Sequence, residues 1–193
     1  MSPLRPLLLA AALALGVSQG SGEERPTPDP SDNASAIAPT PQEFARTLLA
    51  ETNRVRVANH RRPLKSREEL AAAADDQAAF MALRLHVQHG SFLPGQASVT
   101  ERVLRHGLFG VEVAENVAST SLPGGPGAHT AEQVAAMLVA QWMDSPGHRA
   151  TLLDPRVTHF GGSIRLARLG KQWASYGVQV FLAAPPAHGR VRA

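Results

Sequence analysis

Three short stretches of the chain carry side chains able to ligate, bind or exchange protons. In "QWMDSPGHRATLLDP", Gln141 to Pro155, Ser145 fits a helix N-cap and Pro146 the first helical position, so His148 falls at the third residue of the first turn. The positive end of the helix dipole disfavours imidazolium there. Neutral imidazole is the form that ligates metals or accepts a proton. His148 is therefore a base or ligand if it faces a cleft, and a packing partner of Trp142 if it does not. In "RLHVQHGSF", His86 and His89 fall at the end of a helix before Gly90, where imidazolium can serve simply as a dipole partner or take part in a site. In "VEVAENVAS", Glu115 lies among apolar residues, and a carboxylate there must find partners because an unpaired buried charge is costly. A structural acceptor for loop amides would satisfy that demand equally well.

The elements that position these groups follow from the pattern of the chain. Its 193 residues favour one domain once terminal segments are set aside. "MSPLRPLLLAAALALGVSQG" reads as a signal peptide over 1–20, with Arg5 ahead of an apolar run from Leu7 to Val17, too short for a membrane span. Residues 21–40 read as a flexible linker, 41–184 as the folded domain, and 185–193 as a flexible tail. Four S/T-x-x-E/Q boxes, at Thr40, Ser66, Ser98 and Thr130, mark helix starts. The helices are expected from Pro41 with Phe44, Leu48 and Val55 on one stripe, over about Arg67–His86 with Leu70, Ala74, Met81 and Leu85 inward, over Val99–His106 stopped by Gly107, and over Ala131–Met143 with Val134, Met137, Leu138 and Trp142 inward. "GSIRLAR" and "WASYGVQVFLA" read as a hairpin about Leu169-Gly170-Lys171, the second run buried on both faces. "FGVEVAENVAST" fits a strand or an irregular segment. The resulting class is α+β, helices against an antiparallel sheet.

Composition excludes several functions. The net charge of +3 comes from 19 basic and 16 acidic residues spread along the chain, with no basic run interleaved with aromatics, so nucleic acid is not an expected partner. With no cysteine, thiol catalysis, Cys-ligated zinc and disulfide stapling are all ruled out.

Taken in order, Asn53–Arg56, Pro63-Leu64, His89-Gly90, Glu101-Arg102-Val103, Gly107, Ala114–Ala118, Trp142–Arg149, Pro155 and Gly161-Gly162 form an array that resembles the CAP superfamily. That family comprises the cysteine-rich secretory, antigen 5 and pathogenesis-related proteins, and the likeness is to its bacterial SCP-domain branch, over roughly Gln42 to Leu182. The "AENVA" and "WMDSPGHR" blocks are its specific parts. The resemblance implies a three-layer α-β-α sandwich with a central antiparallel sheet and a cleft that, in many eukaryotic members, carries two histidines, two acids and a divalent metal. His89 matches the first histidine, Glu115 the acid of the "G-E-N" block and His148 the second histidine. The second acid falls on Ser145, a poor zinc ligand, so the set is incomplete. Two imidazoles and one carboxylate would still allow Zn²⁺ with water in the fourth position.

The expected cleft residues are thus His89, Glu115, His148 and Ser145, with His89, His148 and Glu115 as metal ligands. Asn116, Trp142 and Arg149 take structural roles, the amide and guanidinium gathering backbone groups. As an N-cap, Ser145 has its hydroxyl engaged with backbone amides, which makes it a weak nucleophile, and no nucleophile–base pair is legible. The reading is an exported binding module, secreted or periplasmic, monomeric, without a transmembrane segment in the mature chain and non-enzymatic, taking a lipid, peptide, envelope component or divalent metal such as zinc. A metal-assisted hydrolase acting on peptide or nucleic acid, and a structural envelope protein, are the alternatives.

Overall fold

The computed structural model describes residues 39–184; the expected leader, the linker up to residue 38 and the tail from 185 lie outside them. Helix α1 spans Pro41–Ala58, opened by Thr40 and Glu43 in a reciprocal capping box. After the two-residue strand β1 (Lys65–Ser66) come α2 (Glu68–Arg84) and α3 (Val99–Arg105). Strand β2 (Glu112–Leu122) leads through a 3₁₀ turn to α4 (Ala131–Asp144), α5 (Pro146–Leu152) and the hairpin β3 (Val157–Leu169) and β4 (Gln172–Ala183). Within "VEVAENVAS", all but the leading Val111 is therefore strand, and β2 pairs with β4 along its whole length.

The sheet order is β1-β3-β4-β2. Its three long strands are antiparallel, but β1, absent from the sequence reading, runs parallel to β3, so the sheet is mixed rather than wholly antiparallel. Alternation along β4 divides the core into two layers. Phe181 and Ala183 join Phe44, Leu48, Leu138 and Trp142 beneath α1 and α4, while Tyr176, Val178, Val180 and Leu182 join Leu70, Ala74, Met81 and Val103 beneath α2 and α3. Every residue of β4 from Ser175 to Ala183 is buried, as its doubly apolar pattern predicts. Helices on both faces of the sheet make the expected α-β-α sandwich.

Close packing fixes the spacing of those layers. A Cβ added at Gly161 of β3 would lie 2.0 Å from the carbonyl carbon of Leu70 and 2.1 Å from the amide nitrogen of Ala71, so only glycine lets α2 rest directly on the sheet. Two expectations about α2 fail. Its N-cap is Arg67, with no side-chain cap bond, so the Ser66 box does not form. It ends at Arg84 because Leu85 turns left-handed at φ 54°, which leaves Leu85 39% exposed instead of inward. At α3 the box is half made: Ser98 accepts from the Glu101 amide, but the Glu101 carboxylate reaches the Ala97 amide instead.

Candidate functional site

Glu115 and Asn116 are neighbours on β2, so their side chains leave opposite faces of the sheet. Glu115 has the parity of Val117 and Val113 and points into the α2–α3 layer; Asn116 has the parity of Ala118 and points toward α1 and α5. Because β2 is the edge strand, groups carried by the two layers can approach each other around it.

On the first face the Glu115 side chain, only 3% exposed, is fully engaged. Its Oε1 lies 3.1 Å from His89 Nδ1, and its Oε2 accepts from the Arg102 guanidinium. Arg102, itself 0% exposed, also donates to the backbone carbonyls of Gln96 at 3.0 Å and His89 at 3.3 Å. One buried cation thus holds both the carboxylate and the loop bearing the histidine. Two more bonds support that loop, from Gln77 Nε2 to the Gln88 carbonyl and from Gln88 Nε2 to the Gly90 carbonyl at 2.7 Å. His89 follows α2 by five residues, so it is no dipole partner of that helix; its side chain stays 60% exposed. The Glu115 hydrogen bond raises its pKa above the ordinary histidine value, outweighing burial. With Nδ1 tied to Glu115, Nε2 is the ring nitrogen left for a ligand.

On the second face His148 occupies the expected third position of α5. Asn116 Nδ2 donates to its backbone carbonyl at 3.1 Å, and Arg149 Nε donates to the Met143 carbonyl. Trp142, 0% exposed, belongs to the core of this layer. Burial depresses the pKa of His148, and the charge of His89 depresses it further. Ser145 differs from expectation: it is the N-cap of α5 by backbone geometry, but its side chain makes no cap hydrogen bond. It makes none to His148 either.

The structure therefore joins His89 directly to Glu115, and no hydrogen bond ties the His148 ring to either of them. Arg102, which sequence reasoning leaves as a motif letter, proves to be the organiser of the site. Its signal was available, since a buried Glu115 demands a cationic partner. The expected metal set does not assemble: among the described residues no three His, Asp or Glu side chains converge on a common point. Glu115 spends both oxygens on Arg102 and His89, and Ser145 replaces the second acid. The donor set present does not fit a resident metal with three protein ligands. Five surface cavities of 300 to 380 Å³ lie elsewhere, and none of these five is lined by His89, Glu115 or His148.

This fold and site define a known class. A sequence profile described as "Cysteine-rich secretory protein family" (CAP) matches residues 49–181, and the chain belongs to that family. Its membership owes nothing to cysteine, since the chain has none. Among solved structures it resembles an outer surface protein of Borrelia burgdorferi at 17% identity and TM-score 0.57, covering 78% of this chain and 99% of that one. It resembles an extracellular SCP-domain protein of Bacillus anthracis at 21% identity and TM-score 0.54, covering 75% of this chain and 41% of that one. A cysteine-rich secretory protein of Staphylococcus aureus matches at 20% identity and TM-score 0.52, over 75% of this chain and 40% of that one. The chain thus spans less than half the length of the last two. No curated protein sequence matches.

Proposed function

We propose that the chain is an extracytoplasmic, non-enzymatic binding module whose polar surface around His89 and His148 takes an extended peptide by hydrogen bonding to the two imidazoles. The observation that carries this reading is the exposed His89 ring fixed by a buried carboxylate that is fixed in turn by a buried arginine. A fold needs no such support beneath an exposed imidazole, whereas a binding surface gains affinity when its polar groups are held in place before the ligand arrives. Export is supported by the leader pattern over 1–20 and by the extracellular and outer-surface descriptions of the structural relatives. Among the described residues no helix is long and apolar enough to cross a membrane.

Selection of random displayed peptides on the immobilised protein at pH 7 tests the reading, with a His89→Ala, His148→Ala double variant as the counter-screen. Both side chains are at least partly exposed, so the variant keeps the native circular dichroism. Peptides that bind the native chain and lose most of their affinity for the variant are expected. Selection that returns only peptides binding both equally overturns the proposal.

A further inference from the structure

We propose that Thr52, Gln179 and Asn116 form a positioning relay that fixes the backbone at His148, and through it the second imidazole of the site. The inference deepens the binding reading and is tested separately from it. All three side chains are 0% exposed and come from three elements, α1, β4 and β2. Thr52 Oγ1 donates to the Leu48 carbonyl at 2.6 Å and accepts from Gln179 Nε2 at 2.8 Å. Gln179 Oε1 accepts from Asn116 Nδ2 at 3.2 Å, and the same amide donates to the His148 carbonyl at 3.1 Å.

The direction of the relay is set by its ends. Backbone carbonyls only accept, so Asn116 must present its NH₂ group to His148 and Thr52 must give its single proton to Leu48. Gln179 must then turn its NH₂ to Thr52 and its oxygen to Asn116. Only one assignment of oxygen and nitrogen satisfies every bond, so the relay is stiff in sense as well as in place. The need for it is visible at α5. That helix has seven residues and no side-chain cap at Ser145, so its start lacks the local bond that usually fixes a first turn. The tie from Asn116 acts there instead. At the far end of α5, buried Arg56 of α1 donates to the Leu152 carbonyl at 2.6 Å, so α1 reaches both ends of the histidine-bearing helix, directly at one and through the relay at the other.

The test uses Thr52→Val and Gln179→Leu, which keep volume and remove the polar links, with Thr52→Ser as the conservative control. The titration of the His148 ring is followed by nuclear magnetic resonance, and its rate of carbethoxylation by diethylpyrocarbonate by mass spectrometry. In both disruptive variants the first turn of α5 loosens and hydrates. The His148 titration should then move up toward the ordinary imidazole range, and carbethoxylation should quicken several-fold. Thr52→Ser should keep the native values of both. A His148 ring that titrates and reacts as in the native chain in Thr52→Val and Gln179→Leu, whatever happens to the melting temperature, overturns the relay. So does Thr52→Ser behaving like Thr52→Val. Neither readout involves a ligand, so failure of the peptide selection leaves the relay standing, and the reverse also holds.

Discussion

Replacing Arg102 by methionine should be among the most damaging changes to the polar site. The substitution keeps most of the aliphatic stem and removes every donor. It strands the Glu115 carboxylate, 3% exposed, with only the half-open His89 as partner, and it releases the carbonyls of His89 and Gln96. Removing one partner of a buried ion pair costs about 3–5 kcal/mol. For a domain of this size that corresponds to a fall of roughly 6–20 °C in melting temperature. Urea unfolding followed by circular dichroism at pH 7 measures the cost. The companion double variant Arg102→Met, Glu115→Leu removes the stranded charge and leaves only the loop carbonyls, at about 1 kcal/mol each. It should recover roughly half of the loss or more. A loss below about 1 kcal/mol in the single variant, or a double variant no better than the single, would refute the assignment of Arg102 as the organiser of the site.

Three further outcomes are expected. The two imidazoles should titrate in a fixed order, His148 at lower pH than His89; the reverse order in a resonance titration would contradict the geometry. With its raised value, His89 contributes stability that is complete below the ordinary histidine pKa and lost as pH rises through the folded one, while depressed His148 contributes stability present above the ordinary value and lost as pH falls through the folded one. Gly161→Ala should cost at least the 1–3 kcal/mol, roughly, of an overpacked core, because the added carbon meets helix backbone that cannot swing aside; a melting temperature near native would show that α2 lifts freely. Ser145→Ala should change stability by no more than about 0.5 kcal/mol, since the hydroxyl makes no cap bond. A loss of about 1 kcal/mol or more would reveal a cap that forms in solution.

Much of the architecture could be read from the chain because it is written in local terms. Hydroxyl caps at Thr40 and Thr130, the glycine stop at Gly107 (φ 87°) and the doubly buried run of β4 each depend on neighbours in sequence. Strand β1 could not be read, because two residues carry no periodicity and their pairing with His159 and Phe160 is a tertiary event. The same distinction governs the site. His89, Glu115 and His148 declare themselves by residue type, and the parity of Glu115 and Asn116 explains why adjacent letters serve opposite layers. Arg102 declares itself only indirectly, through the cation that a buried Glu115 13 residues away demands, and Gln179 not at all, because a glutamine in a strand acquires meaning only through a partner 63 residues away. The metal set fails for a similar reason: a carboxylate's type advertises ligation, but its availability depends on which cation has already claimed it.

The buried guanidinium groups carry a consequence beyond the site. Arg56 gathers the carbonyls of Arg62, Leu152 and Asp154, and Arg102 those of His89 and Gln96, so each cinches remote loops as a covalent cross-link would. Such a cinch has no sulfur to reduce. The chain should therefore melt at the same temperature with and without a strong thiol reductant, equally at home in oxidising and reducing surroundings.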